Sequence, residues 1–235
     1  DIPQCTTEIA GTKRMHAKLR ERGRLMTNFY EKQYSALDKL NKRYGVPSLG
    51  LMSGFTWNSD PRRLLFVLSR YKFVSKIFHG YSSVLEIGCG DAFASRIVAQ
   101  SVKKLDVTDI DHKLLENAKL NASSGPFPYE AFWHDLLASP TPKRYDGIYL
   151  LDVLEHIPQC EEDNFLVNIV KSLQPHGQLL IGIPSIESQQ YASVESARGH
   201  VNCKSLDELR RVLSKLFFNV NMFSMNDEVL HTGYG

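Results

Sequence analysis

The sequence has little cysteine and no long apolar run. Its four cysteines are scattered and form no Cys-x-x-Cys pair, which argues against a structural zinc site and is typical of reduced thiols in a cytoplasm. No apolar run approaches the roughly 20 residues of a membrane span, and no signal-peptide pattern opens the chain. We therefore expect a cytoplasmic protein that makes no use of a membrane.

The overall excess of charge is also small. The net charge is only +2, which argues against a dedicated nucleic-acid-binding protein. The distribution is uneven, however, because residues 11–45 carry ten lysines and arginines against three acidic residues. This asymmetry predicts either a solvated helix face or a surface that recognises a small molecule bearing a phosphate.

The patterning divides the chain into regions. Apolar residues recur at helical steps within residues 1–45, which predicts helices and a surface for a homodimer. Residues 45–60 are rich in Gly and Ser and predict a crossing loop. Asp60 followed by Pro61 is typical of a helix start. We therefore expect a helical extension at 1–60 and one main domain at 61–235.

Within the main domain, apolar strand segments alternate with helical segments. This alternation predicts an α/β fold with a doubly wound, mostly parallel sheet. Ser205 and Glu208 are spaced as a capping box and predict a helix over 205–216. Five predicted strands span 84–87, 104–110, 146–151, 177–183 and 218–223, and a further strand segment ends at 132–137. A turn at 174–177 is predicted before the strand at 177–183.

The most informative segment is Val84–Ala92, which predicts a buried strand running into a Gly-rich turn. Gly88 and Gly90 permit a tight turn and let a ligand approach atoms that a Cβ would block. Glu86 interrupts the apolar run at the strand end, where ligands gather in open α/β sheets. The turn suits a nucleoside-like cofactor, although Gly pairs also occur in ordinary strand-to-helix turns.

Acidic residues follow the next strands of the predicted sheet. Asp111 ends the second strand and is placed to accept hydrogen bonds from a ribose diol, since neighbouring parallel strands end at one edge. Asp135 lies beside apolar side chains, where it can bind an adenine amino group. Asp152 ends the fourth strand, but a lone acid is not a metal constellation, so we predict no metal.

These residues, in this order and spacing, resemble the class I S-adenosylmethionine-dependent methyltransferases. The Gly-rich turn is similar to the first motif of that family. Residues 145–157, with Leu-Glu-His-Ile at their end, resemble the fourth motif, and residues 173–177 resemble the fifth. The resemblance covers roughly residues 72–225. One departure is Ala92, which stands where the family has a third glycine. Alanine is the smallest alternative, so we expect close packing there to be strained little and the cofactor assignment to hold.

The resemblance implies a Rossmann-like methyltransferase fold with S-adenosylmethionine as its cofactor. Members usually add a seventh, antiparallel strand, for which only residues 228–235 remain, so we expect it to be brief or missing. Cys89 is more typical of a small packing residue than of a nucleophile. The implied cofactor-binding positions lie in the turn and at the strand ends: Glu86, Gly88, Cys89, Gly90, Ile110, Asp111, Asp135, Leu136, Leu151 and Asp152.

Two histidines are candidate catalytic residues. Methyl transfer from a sulfonium requires alignment of the acceptor and, for a hydroxyl acceptor, removal of a proton. His156 follows the fourth strand, and His200 follows a polar loop behind the fifth. Either ring is suited to act as the base, although a structural role is the more common one for a histidine in such a place.

The absence of motifs typical of other methyltransferases narrows the range of possible methyl acceptors. The sequence has no signature of base-amino methylases after the fourth strand, no Pro-Cys pair of cytosine-C5 methylases and no paired-glutamate loop of protein-arginine methylases. Transfer to an O or N atom of a small polar metabolite remains, with residues 1–60 as a lid over the acceptor. The loop ending at 199–202 resembles members that act on sugars, nucleotide-sugars or glycan precursors. A NAD(P)-dependent oxidoreductase and a catalytically inactive methyltransferase-like binding module stay open as alternatives.

Overall fold

A computed structural model of the chain describes residues 34–122 and 125–225, except for the side chain of Glu195. These residues divide between two units, with the boundary between Pro47 and Ser48. The helical prediction for residues 1–33, the dimer surface expected there and the brief strand expected at 228–235 lie outside the described residues.

The described part of the first unit contains helix α1, Ser35–Tyr44. Its residues are all at least partly exposed, and Lys42 pairs with Asp38 one turn away at 2.5 Å. The helix ends at Gly45, whose φ of 74° lies in the left-handed region that favours glycine. The helical prediction is therefore confirmed for residues 35–44.

The second unit begins with helix α2, Leu51–Ser59, where the sequence predicted a crossing loop. The prediction was wrong because Gly and Ser were counted as loop residues without regard to tertiary contacts. Ser59 Oγ donates to the Phe55 carbonyl inside the helix, and the Leu51 amide donates to Asn117 Oδ1 at 3.0 Å. Contacts of this kind overrule weak local propensity.

Helix α3, Pro61–Ile77, starts where the sequence predicted. The Asp60 side chain accepts a hydrogen bond from the Arg62 amide, and Pro61 occupies the first helical position. Leu64, Tyr71 and Val74 are buried, and Tyr71 and Val74 pack against residues of the sheet. Leu65, on the same helix, is 64% exposed.

The sheet has five parallel strands in the order β3-β2-β1-β4-β5, which confirms the predicted doubly wound topology. The register places Ile87 beside Thr108 on one side and Leu150 on the other, so the central strand ends level with its neighbours. The strands are β1 Val84–Ile87, β2 Leu105–Asp109, β3 Glu130–Trp133, β4 Tyr145–Leu151 and β5 Leu173–Gly182.

Helices connect the strands and follow the last one. The α-helices are α4 Ser95–Ala99, α5 His112–Ala122, α6 Glu162–Ser172, α7 Val194–Gly199 and α8 Leu206–Leu213, and 3-10 turns span Leu154–His156 and Ile186–Tyr191. The capping box of Ser205 and Glu208 at α8 is confirmed. Among the described helices, none combines the length and apolar character needed to cross a membrane.

Two apolar cores cover the two faces of the sheet. On one face, Val84 and Tyr149 pack with Val74 and Phe78 of α3. On the other face, Leu85 and Ile148 pack with residues of α6 and α8. Successive residues of the central strands alternate between the cores, as a sheet covered on both faces requires.

Two local predictions were wrong. The predicted turn at 174–177 lies within β5, and an irregularity in register between Tyr145 and Gly147 on β4 accommodates it. The predicted strand at 218–223 is irregular backbone. Alternating apolar residues form a strand only beside a partner strand, and the described residues provide none there.

We predict that Leu166→Ala in helix α6 lowers the free energy of unfolding by about 2–5 kcal/mol, because this side chain is fully buried and its loss leaves a cavity. Leu65→Ala in helix α3 is the matched control, since the same truncation at an exposed position should change it by less than about 1 kcal/mol. Urea unfolding followed by circular dichroism measures both. Equal effects would contradict the assignment of the core.

Candidate active site

The Gly-rich turn at the end of β1 is bonded to the neighbouring strand. The Gly88 and Cys89 amides donate to the Thr108 carbonyl at 2.8 and 3.1 Å. Gly88 and Gly90 have φ values of 72° and 56°. A Cβ on Gly88 would clash with the Val153 side chain, and a Cβ on Gly90 would lie 2.6 Å from the Met52 sulfur. Both positions therefore require glycine.

Two residues other than glycine have left-handed backbone at the same edge of the sheet. Ala92 follows the turn with φ 52°, and Asp152 follows β4 with φ 56°. This conformation costs about 1–3 kcal/mol for such residues and persists only where the surrounding structure imposes it. The expectation at Ala92 concerned close packing, whereas the cost observed here comes from the positive φ, which is unfavourable even for the smallest side chain.

Glu86 lies beneath the turn with both of its carboxylate oxygens hydrogen-bonded. The Tyr71 hydroxyl donates to Oε1 at 2.6 Å and the Tyr149 hydroxyl donates to Oε2 at 2.7 Å. The carboxyl is 1% exposed, and burial raises its pKa to about 7. Glu86 thus ties α3 and β4 to the central strand and supports the turn from inside the protein.

Cys89 is buried in the turn. Burial raises the pKa of its thiol, which keeps the sulfur protonated and unreactive. This agrees with a packing role.

The acid that closes onto the turn is Asp109, the last residue of β2. Its Oδ2 accepts from the Gly90 amide at 2.8 Å, and its Oδ1 accepts from the Asp111 amide at 2.9 Å. Asp111 instead caps α5, since its Oδ1 accepts from the amides of Lys113 and Leu114 at 2.8 and 3.0 Å. Sequence reasoning missed Asp109 because it extended the strand to Ile110. Asp109 lies 19 residues after Gly90, and this spacing is the sequence feature that could have identified it.

The predicted adenine side of the site lies past β3. Asp135 Oδ1 accepts from the Leu137 amide at 2.8 Å, and Leu136 is buried. Trp133 donates its indole N–H to the carbonyl of the exposed Ile110 at 3.1 Å. Its ring, half exposed, stacks on His112 with centroids 5.6 Å apart. An exposed aromatic plane therefore stands beside the predicted acid.

Asp152, which follows Leu151 at the end of β4, is held by an arginine. Both terminal nitrogens of Arg70, on helix α3, contact its two carboxylate oxygens at 2.6 Å. The Asp152 amide donates to the Gly182 carbonyl at 2.8 Å. A bidentate pair of this kind fixes the orientation of the carboxylate and of the strained backbone that carries it.

Helix α2 lies against the Gly-rich turn. Ser53 donates to Asp91 twice, from its amide at 2.7 Å and from its hydroxyl at 3.0 Å. Met52 packs against Gly90, since its sulfur lies 2.6 Å from where a Cβ on Gly90 would be. These contacts were not predicted, because the pattern of residues 45–60 indicates a loop.

The two candidate catalytic histidines lie together. The rings of His156 and His200 have centroids 5.2 Å apart. His156 Nδ1 lies 2.9 Å from the Gly199 carbonyl, and His200 Nδ1 lies 2.8 Å from Gln189 Oε1. Burial, and then the neighbouring His156, lower the pKa of His200.

Glu155 completes this group. It is fully buried, and among the described residues neither of its carboxylate oxygens has a hydrogen-bond partner. His156 Nε2 lies 4.0 Å from Glu155 Oε1. Burial, and then the charge of Asp152, raise the pKa of Glu155 to about 8. The backbone carbonyl of Glu155 accepts from the Val201 and Asn202 amides, which attaches the loop of His200 to the end of β4.

Comparisons with known proteins agree with this geometry. Residues 84–177 match the sequence profile of a family described as "Methyltransferase domain". Among solved structures, the N-methyltransferase NodS from Bradyrhizobium japonicum with S-adenosyl-L-homocysteine superposes with a TM-score of 0.56 at 20% identity, over 79% of this chain and 86% of that one. The DhpI-SAM-HEP complex gives 0.53 at 16% identity, over 80% and 90%. The fold is therefore that of a class I methyltransferase.

Curated relatives are more similar in sequence but cover less of the chain. The mitochondrial ubiquinone biosynthesis O-methyltransferase of Schizosaccharomyces pombe is 26% identical over 134 residues, 53% of this chain and 48% of the relative. The ubiquinone biosynthesis O-methyltransferase of Xylella fastidiosa (strain 9a5c) is 30% identical over 135 residues, 53% and 54%. The chain spans about half the length of these relatives. Residues 84–177 therefore match a methyltransferase domain, within a chain that has the class I methyltransferase fold.

The raised pKa of Glu86 predicts a pH dependence of stability. The pKa of this carboxyl is 4.5 in the unfolded chain and about 7 in the folded protein. Its contribution to stability is fully present below pH 4.5, and it is lost as the pH rises through about 7, because the unfolded chain releases the proton more readily. The free energy of unfolding should therefore fall across this window. In Glu86→Gln, which cannot ionise, the fall should be shallower.

Urea unfolding at pH values from about 5 to about 8 measures these slopes. Glu116→Gln, on the exposed side of helix α5, is the control and should keep the slope of the unchanged protein. An unchanged slope in Glu86→Gln would show that the buried carboxyl is ionised throughout this range.

Proposed function

We propose that the chain is an S-adenosylmethionine-dependent O-methyltransferase acting on a small polar molecule. The observation that carries this proposal is the Gly88–Gly90 turn closed onto Asp109 within a segment that matches a methyltransferase domain. Oxygen is favoured as the acceptor atom because the two relatives compared are named O-methyltransferases.

Finer features of the acceptor have weaker support. None of the comparisons favours the sugar, nucleotide-sugar or glycan precursor that the loop at 199–202 suggested. The prediction of a phosphate-bearing acceptor rests on basic residues within 11–45, and the prediction of a homodimer rests on apolar residues within 1–45. Most of these residues lie outside the described part of the chain. Helix α2 is one described part of the proposed lid, and its contacts with Asp91 support a place for this helix at the cofactor end.

The cofactor would lie along the edge where β1, β2 and β3 end. The backbone of the turn approaches the methionine end of the cofactor, since no Cβ intervenes at Gly88 or Gly90. Asp109 binds the ribose: each of its oxygens accepts one backbone hydrogen bond, and a carboxylate oxygen has lone pairs for a second. Asp135 and Trp133 face the adenine, with Leu136 and Ile110 beside them.

His156 and His200 hold the acceptor oxygen and promote loss of its proton in this proposal. Bound S-adenosylmethionine supplies an electrophilic methyl group on a sulfonium. When bound, the cofactor would give up this methyl group to the acceptor oxygen and would leave as a neutral thioether, which keeps the electron pair of the broken carbon–sulfur bond. The protein contributes alignment of the oxygen and removal of its proton.

Calorimetric titration of the full chain with S-adenosylhomocysteine and, separately, with NAD tests the proposal. We expect the thioether to bind with one site per chain and NAD to give no heat. Binding of NAD alone would favour the oxidoreductase. Binding of the thioether without methylation of any acceptor in a screen by mass would favour an inactive binding module.

The two acids at the end of β2 provide a matched pair of variants. We expect Asp109→Asn to weaken binding of S-adenosylhomocysteine by about 5- to 150-fold, the effect of about 1–3 kcal/mol expected when a charged acceptor is removed from a ribose hydroxyl. Asp111→Asn should leave the affinity within about twofold, because asparagine also caps a helix. If Asp111→Asn weakened binding and Asp109→Asn did not, Asp111 would be the residue that binds the ribose.

A further inference from the structure

A buried charged group lies behind the His156–His200 pair. The ammonium of Lys204 lies 2.8 Å from Glu162 Oε2. Asn202 closes the group: its Nδ2 donates to Glu162 Oε2 at 2.7 Å, and its Oδ1 accepts from Lys204 Nζ at 2.8 Å. All three residues are buried, and we call them the Lys204 triad.

Packing alone does not account for the Lys204 triad. Removal of an ammonium and a carboxylate from water is costly, and apolar side chains of similar volume often give equal or greater stability. The place of Glu162 in the first turn of helix α6 reduces this cost, because the N-terminus of a helix favours negative charge. Apolar side chains, however, cannot supply the directed hydrogen bonds that fix how two groups are oriented. The triad is therefore suited to holding a neighbouring segment in one position.

One connection runs from the triad to the turn that carries His156. The Asn202 amide donates to the Glu155 carbonyl at 3.0 Å, and the Val201 amide donates to the same oxygen at 2.9 Å. Glu155 precedes His156 in the 3-10 turn after β4. His156 Nδ1 in turn lies 2.9 Å from the Gly199 carbonyl. The loop that the triad fixes thus supports this turn and also orients the ring of His156.

A second connection runs from the triad to His200. The Lys204 carbonyl accepts from the Ile186 amide at 3.1 Å, and Lys204 also pairs with Ser185 in an isolated parallel bridge. The Ser185 carbonyl accepts from Gln189 Nε2 at 3.3 Å. This bond directs Gln189 Oε1 towards His200 Nδ1, which lies 2.8 Å away. The partner that orients the ring of His200 is therefore held by the segment that Lys204 anchors.

The hydrogen bonds of the two rings select one tautomer. The oxygen that faces Nδ1 is the Gly199 carbonyl for His156 and Gln189 Oε1 for His200. Both oxygens can only accept, so a neutral ring carries its proton on Nδ1 and leaves the lone pair of Nε2 free. In the proposed function, Nε2 is then the atom available to accept the proton of the acceptor hydroxyl.

We propose that the Lys204 triad is a set of positioning residues, which hold the rings of His156 and His200 with Nε2 free to face the acceptor. The triad acts through the backbone of residues 199–204 and the side chain of Gln189, and not on the reacting atoms. The use of the rings on an acceptor rests on the proposed function. Their orientation does not, so it can be measured without an acceptor.

The test is long-range ¹H–¹⁵N NMR of the full chain labelled at its histidine nitrogens, at a pH of about 8, where histidine is ordinarily neutral. We expect Nδ1 to be protonated in both rings of the unchanged protein, with His156→Asn and His200→Asn assigning the signals. Lys204→Met should convert both rings to a mixture of tautomers, because the loop and Gln189 lose their anchor. Lys171→Met, at an exposed lysine of helix α6, is the control and should leave both tautomers unchanged.

A variant with three changes separates orientation from stability. Lys204→Met alone leaves the Glu162 carboxylate buried without its cation and should lower the urea midpoint of unfolding. Glu162→Met, Asn202→Leu and Lys204→Met together replace the whole triad by apolar side chains. The midpoint should then return close to that of the unchanged protein, while the tautomers stay mixed. A single Nδ1–H tautomer in this triple variant would show that the triad serves packing alone and would overturn the proposal.

Calorimetric titration of the same samples with S-adenosylhomocysteine separates this proposal from the proposed function. Each variant of the triad should bind the thioether within about twofold of the unchanged protein, because the triad lies outside the strand ends proposed to hold the cofactor. Tautomers that follow the triad in a chain that binds no thioether would support the positioning role and contradict the methyltransferase. Thioether binding with unchanged tautomers in Lys204→Met, or with Nε2 protonated in the unchanged protein, would do the opposite.

Discussion

The hydrogen bonds from Tyr71 and Tyr149 to Glu86 are the interaction on which the rest of the site depends. They join helix α3, the central strand and β4 at one buried carboxyl. The Gly-rich turn begins directly above this carboxyl, and Arg70, which holds Asp152, precedes Tyr71 on the same helix. A shift of α3 would therefore move both the turn and the end of β4. The buried polar group fixes one arrangement of three elements, as fully satisfied networks do.

Much of the fold was predictable from the sequence because its signals are local. Buried strands read as short apolar runs, and the start of α3 is given by Asp60 and Pro61. The capping box of Ser205 is similarly explicit. Helix α2 was not predictable, since its Gly and Ser residues are poor helix formers and its stability comes from contacts with Asp91 and Asn117. Such contacts join residues far apart in the chain.

In the candidate site, too, local features were predictable and features that depend on contacts between distant residues were not. Gly88 and Gly90 were identified from the sequence because their conformational freedom is a property of the residue type. The distinction between Asp109 and Asp111 was not, because it depends on where the strand ends and which carboxylate reaches the Gly90 amide. The His156–His200 pair was predicted as two separate candidates. Only the folded structure shows that the two rings lie 5.2 Å apart and that His156 lies 4.0 Å from Glu155.

The left-handed backbone at Ala92 and Asp152 has a consequence for ligand binding. Both residues follow adjacent parallel strands, and each conformation is held by its neighbours: a hydrogen bond to the Cys89 carbonyl for Ala92, and Arg70 for Asp152. The unfavourable conformations are thus offset by folding, before any ligand arrives. Because the edge is ordered in advance, an incoming molecule loses little affinity to ordering the loops that receive it.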